Sequence, residues 1–155
     1  MKCEFCELTE DDKKDILLSS RHWTVFLSKY HLYLGRSVLG LRRHCEALAD
    51  LTTEEWANLH MVMRRIESAY AIVLGATMFN WTCLMNNAYK AECPIPHVHF
   101  HVRPRYKTAP SIANESFPDP NFGHHYQNHP EREIGKTAKE ILRSMLLKGL
   151  SQVAV

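Results

Sequence analysis

His97-Val98-His99-Phe100-His101-Val102-Arg103-Pro104 is the stretch from which the rest of the chain can be read. Three histidines at every second position, with apolar residues between them, fit a β-strand. Such a strand turns all three imidazoles to one face and buries Val98, Phe100 and Val102 on the other. At about 3.3 Å of rise per residue, neighbouring imidazoles fall roughly 6–7 Å apart, which makes a site and not a stripe of packing. Two histidines on one strand face can chelate a metal. A neutral imidazole can equally serve as a nucleophile with helpers, or the row can be a solvated edge. The apolar residues between the histidines place the strand in the core.

Upstream, Lys90 to Pro96 contains Pro94 and Pro96 and cannot pair fully in a sheet, so it reads as an ordered loop feeding the histidine strand. Thr77 to Met85 has strand character and ends at Asn86-Asn87, residues that commonly make turns. Before it, Thr52-Thr53-Glu54-Glu55 is a capping-box start, and Trp56, Leu59, Met63, Ile66, Tyr70 and Val73 recur at helical spacing up to Gly75. A core helix is expected over 53–74. Ile16–Leu18, His22–Leu27 and Ser37–Leu41 are β-rich runs that read as antiparallel strands, the third leading into the basic turn Arg42-Arg43-His44-Cys45.

The charged segment Thr9 to Asp15 reads as a loop or frayed turn. Five of the seven prolines fall from Pro104 to Pro130, so residues 105–130 are expected to lack regular structure. Phe122, His124, His125 and Tyr126 argue that this loop docks on the body of the protein. A closing helix is expected over 131–148, with Ile134, Ala138, Ile141, Leu142 and Met145 on one side.

The 155 residues are a length for one domain, and a formal charge of +2 supplies no field that would draw in nucleic acid or an anionic membrane. No stretch approaches the roughly 20 apolar residues that span a bilayer, and the N-terminus lacks the apolar core of a signal peptide. Five cysteines, an odd number, do not form a secreted disulfide framework, which favours the cytoplasm. Cys3 and Cys6 have the spacing of a metal half-site, a redox motif or two unrelated thiols. The redox reading wants a βαβ context that is missing here, so half a zinc site is preferred.

The alternating histidines resemble the motif of the histidine triad (HIT) family, and the order of strands, helix 53–74 and two further strands is similar to that family over most of residues 3–104. The resemblance implies a single α+β HIT domain over residues 1–155, with an antiparallel sheet of about five strands, that assembles as a homodimer. It implies that His99 attacks the α-phosphorus of a purine, AMP-like nucleotide derivative to form a nucleotidyl-histidine. His101 would assist at the phosphate or the bridging atom, and no divalent metal would be needed for that step. Dinucleoside polyphosphates and nucleoside phosphoramidates are the substrate classes, for hydrolysis or transfer.

The resemblance further assigns Asn86 to the phosphate and Phe5, Leu8 and Phe26 to the nucleobase pocket. Ser28 aligns with an acidic residue that often grips ribose. Zinc-bearing branches of the superfamily imply a structural Zn2+ on Cys3, Cys6, His44 and His97, which removes His97 as a proton shuttle. Glu92-Cys93-Pro94 stands where the family often has Gly-Gln-Ser or Gly-Gln-Thr, which implies atypical leaving-group contacts. The rival expectation is a non-catalytic nucleotide-binding module with the same zinc site, or a triad that is itself an open catalytic metal site.

Overall fold

Thr52 opens the long helix as its sequence dictates. Its side chain accepts the Glu55 amide while the Glu55 carboxylate accepts the Thr52 amide, closing a capping box. The helix ends at Gly75, whose left-handed backbone (φ 72°) is the conformation that glycine adopts at least cost. In the computed structural model of the protein, which describes residues 3–127 and 130–153, this is α2, Thr53–Leu74.

Around it the chain runs α1 (Glu10–Lys14), β1 (Ile16–Ser19), β2 (Trp23–Leu27) and β3 (Ser37–Leu41) before α2. After it come β4 (Met78–Thr82), β5 (His99–Arg105), the short strands β6 (Ser111–Ile112) and β7 (Glu115–Ser116), and α3 (Lys136–Gln152). The main sheet has the order β1-β2-β3-β5-β4 and is antiparallel throughout. This is the α+β, five-stranded architecture expected from the sequence. No helix among the described residues is long and apolar enough to cross a membrane.

The core lies between the sheet and α2 with α3. Leu59, Val62, Ile66 and Ala69 from α2 join Val25, Leu39, Val98 and Val102 from the sheet side, all at most 3% exposed. Burying each of the larger aliphatic side chains contributes roughly 1.5–3 kcal/mol. The buried stripe of α2 is rotated from the one expected. Trp56 is 43% exposed, while Val62 and Ala69 are buried, because α3 packs closely along that side. Gly149 sits there so tightly that a Cβ would meet the Val73 side chain at 2.4 Å.

Five further expectations need correction. The segment Thr9 to Asp15 is not a loop: it holds helix α1, capped reciprocally by Thr9 and Asp12. The histidine strand starts at His99 and not His97, because His97-Val98 turns to pair with Cys45 and Leu41 at the end of β3. Residues 83–85 leave the sheet, so the strand expected over Thr77 to Met85 is shorter. The Pro-rich region carries the β6–β7 hairpin, with Ala113 and Asn114 at positive φ in its two-residue turn. The closing helix begins at Lys136 and not Glu131, because residues 132–133 are held extended against Tyr30 and His31. On it Leu142, Leu146 and Leu150 are buried, and Ile141 is 41% exposed.

Candidate functional site

The site is built on the sheet face opposite α2. Pairing places Gly40 across from His99, Val38 across from His101 on one side, and Thr82 across from His101 on the other. Gly40 leaves room for an aromatic ring on the strand. A Cβ at that position would lie 2.5 Å from Phe5. The Phe5 ring instead stacks on both His97 (5.0 Å between centroids) and His99 (4.7 Å). His99 and His101 stand 5.0 Å apart, nearer than strand geometry alone gives, because their rings meet edge to face at 81°.

The hydrogen bonds fix what each imidazole can do. Nδ1 of His99 lies 2.8 Å from the carbonyl oxygen of His97. A carbonyl only accepts, so Nδ1 carries the proton and Nε2 keeps its lone pair. His101 is half-buried, and its Nδ1 makes no well-formed hydrogen bond among the described residues. Burial, then the nearby His99, Arg103 and Arg36, hold it neutral, with its pKa pushed down to about 3. A cleft of about 540 Å³ opens over the pair. Phe5, Leu8 and Phe26 line it together with His99 and His101, so the apolar wall and the imidazoles expected from the sequence share one cavity.

Two expected residues fall elsewhere. Asn86 is exposed in the turn after residue 85, and its neighbour Asn87 lines the cleft in its place. The Ser28 hydroxyl accepts the Tyr30 amide at 3.2 Å in a local turn, while the adjoining Leu27 and Lys29 line the cavity. His124 and His125 are exposed and do not line it; the His124 carbonyl instead accepts from Arg105. Sequence reasoning missed Asn87, although an adjacent asparagine was the signal.

Cys3, Cys6, His44 and His97 come together behind Phe5, with one ligand atom from each lying within 4.8 Å of the others. Cys3 Sγ is 3.2 Å from His97 Nδ1, and Cys6 Sγ lies 3.6 Å from His44 Nδ1 and 3.7 Å from His97 Nδ1. Tetrahedral zinc with ordinary Zn–S and Zn–N bonds requires ligand separations of about 3.5 Å, so this set fits the ion. The outer nitrogens support the same reading. His97 Nε2 donates to the Leu41 carbonyl at 2.8 Å, and His44 Nε2 lies 3.4 Å from the Glu46 carboxylate. Each contact turns Nδ1 inward as a ligand.

A HIT domain family model matches residues 13–108. An uncharacterized HIT-like protein of Saccharolobus solfataricus is 26% identical over 140 residues, covering 90% of this chain and 99% of that protein. The crystal structure of a hypothetical histidine triad nucleotide-binding protein from Sulfolobus tokodaii superposes with a TM-score of 0.68 at 18% identity, covering 96% of this chain and 92% of that one. A zinc-bound histidine triad family protein from Mycobacterium smegmatis gives 0.55 at 17% identity, covering 88% and 84%. With its fold, its alternating histidines and a family model over most of its length in agreement, the chain belongs to the HIT family.

Proposed function

We propose that the protein is a nucleotidyl hydrolase or transferase that acts at the α-phosphate of a purine nucleotide derivative through a nucleotidyl-His99 intermediate. The observation that carries this reading is the 2.8 Å contact of His99 Nδ1 with the His97 carbonyl, which leaves Nε2 as the free nucleophilic nitrogen in a residue that lines the cleft. Nε2 attacks the α-phosphorus, a P–N bond forms, and the bond to the bridging atom breaks with the electron pair leaving on that atom. Water or another acceptor then attacks phosphorus, the P–N bond breaks, and imidazole is regenerated. His101 and the Asn87 amide are placed to steady the transferring group, and Phe5, Leu8 and Phe26 offer the apolar wall for a nucleobase.

Structural Zn2+ on Cys3, Cys6, His44 and His97 belongs to the same proposal, supported by the four-ligand geometry. The ion supplies a crosslink between the N-terminal segment and the catalytic strand. A homodimer through α2 and the β4 edge is likewise proposed, supported by the open edge of the sheet at β4 and the 71% exposed Ile72 on α2. The five free cysteines fit a reducing cytoplasm.

The test is to measure turnover of diadenosine polyphosphates and an adenosine phosphoramidate, together with AMP binding, for the wild type and His99→Ala. The expected result is wild-type turnover that falls by roughly 1,000-fold or more in the variant while AMP binding persists. Binding without turnover in the wild type contradicts the enzyme reading and leaves a binding module.

A further inference from the structure

Residues 3–7 form a tight turn, closed by the Cys6 and Glu7 amides donating to the Cys3 carbonyl at 3.1 and 3.0 Å. The turn sets Phe5 down on the sheet at Gly40, the residue of β3 that pairs with His99, where a Cβ would lie 2.5 Å from the ring. Phe5 then spans two histidines of unequal freedom. His97 is 3% exposed and its Nε2 donates to the Leu41 carbonyl at 2.8 Å, so its ring is fixed to the backbone of β3. His99 is only half-buried, and among the described residues its ring nitrogens make one hydrogen bond, from Nδ1 to the His97 carbonyl.

One hydrogen bond settles which nitrogen carries the proton but leaves the ring free to rock about that bond. Stacking removes the freedom. The Phe5 ring lies 4.7 Å from His99 at 26° and 5.0 Å from His97 at 30°, while Phe26 meets it edge-on at 6.4 Å. The plane of His99 is thereby tied, through Phe5, to a histidine that cannot turn. The ring also has room to leave, since besides the cleft it borders a second cavity of about 390 Å³, lined with it by Leu8, Thr24, Phe26 and Gly40. A nucleobase wall needs only an apolar surface, and Leu8 and Phe26 already offer one. The stacked pose on His99, for which Gly40 clears the space, goes beyond what a wall requires.

Resting on the nucleotidyl-transfer reading above, we infer that Phe5 is a positioning residue for the nucleophile: held between His97 and the bare backbone of Gly40, its ring fixes the plane of His99 at the angle from which Nε2 meets the α-phosphorus. The bonds made and broken are those of the transfer itself. Nε2 gives its lone pair to phosphorus, the P–N bond forms, and the bridging atom departs with its bonding pair. Phe5 takes no part in them and acts by keeping the lone pair aimed.

The experiment compares the wild type with Phe5→Leu, Phe5→Tyr and Gly40→Ala, each checked by thermal melting. Phe5→Leu keeps an apolar wall without a stacking ring, and Phe5→Tyr keeps the ring. Gly40→Ala retains both Phe5 and His99 but pushes the Phe5 ring off the strand, with the second cavity to receive it. Two quantities are read: kcat and KM for diadenosine tetraphosphate, and, in the nucleotide-free protein at a pH where the ring is neutral, the NMR shifts of the His99 ring nitrogens. Phe5→Leu and Gly40→Ala should lower kcat by roughly 10- to 100-fold, the cost of a reacting group misplaced by about 1 Å, with KM altered much less. In both, the nitrogen shifts should move from the single Nδ1-protonated tautomer toward an average of two, as the freed ring leaves the His97 carbonyl for part of the time. Phe5→Tyr should recover both readouts. A raised KM with kcat intact in Phe5→Leu, or a lowered kcat with the His99 nitrogens unmoved, overturns the positioning role and leaves nucleotidyl transfer standing. A wild type that does not turn over overturns the transfer reading and the positioning role together.

Discussion

His31 shows how one buried side chain ties stability to pH. It is fully buried under the extended residues 132–133, and its ring nitrogens find no well-formed hydrogen bond among the described residues. Burial, then Lys139 and, more weakly, Arg36 push its pKa down to about 4, opposed only in part by the Ser28 backbone. In the unfolded chain the imidazole titrates near 6.5. Between those values the unfolded state binds more protons, so stability is complete above about pH 6.5 and is lost as pH falls toward 4. The shift corresponds to roughly 3 kcal/mol. His31→Phe keeps a ring in the site and removes the titration, so urea midpoints measured from pH 7 to 4 should decline less steeply than in the wild type. Equal slopes would show that His31 is not the sensor.

At the scale of elements, the N-terminal segment lies against the sheet through Phe5 on Gly40, His97 and His99, and the proposed Zn2+ on Cys3, Cys6, His44 and His97 would fasten it there. Cys6→Ser, or removal of zinc by a strong chelator, should therefore release this segment, lower the melting temperature and weaken nucleotide binding together. Loss of activity on chelation with an unchanged melt would point instead to a metal used in the chemistry. How far each element was legible in the sequence follows from where its determinants lie. Helix α2 could be read to its ends, since Thr52, Glu55 and Gly75 act within a turn of the residues they cap. The start of α3 could not, since it is set by His31 and Tyr30 pairing with residues about 100 positions away. The grouping of Cys3, Cys6, His44 and His97 became legible only through the family resemblance, as spacing alone links Cys3 to Cys6 but not to His44 or His97.

Across the whole molecule, the Pro-rich region is fastened to the sheet by the Arg105–Asp119 pair, both side chains at most 1% exposed. Arg105 also donates to the Asn80 side chain and to the carbonyls of Asn121 and His124. This explains why a segment with so many prolines is docked beside β5, as the clustered aromatics and histidines suggested. Asp119→Ala leaves a buried guanidinium without its counter-ion, a change that costs about 3–5 kcal/mol. A drop in melting temperature on the order of 10 °C should follow, with protease cleavage appearing first within 117–127. A drop below about 2 °C would contradict the anchoring role.

The central claim is that His99 becomes covalently nucleotidylated during turnover. The most direct test is to quench the protein within a single turnover of diadenosine tetraphosphate, read its intact mass, and map the modified peptide. The account predicts one added AMP on the peptide containing His99, stable to base, released by mild acid and absent in His99→Ala. Turnover with no such adduct, or an adduct on another residue that survives in His99→Ala, would contradict it.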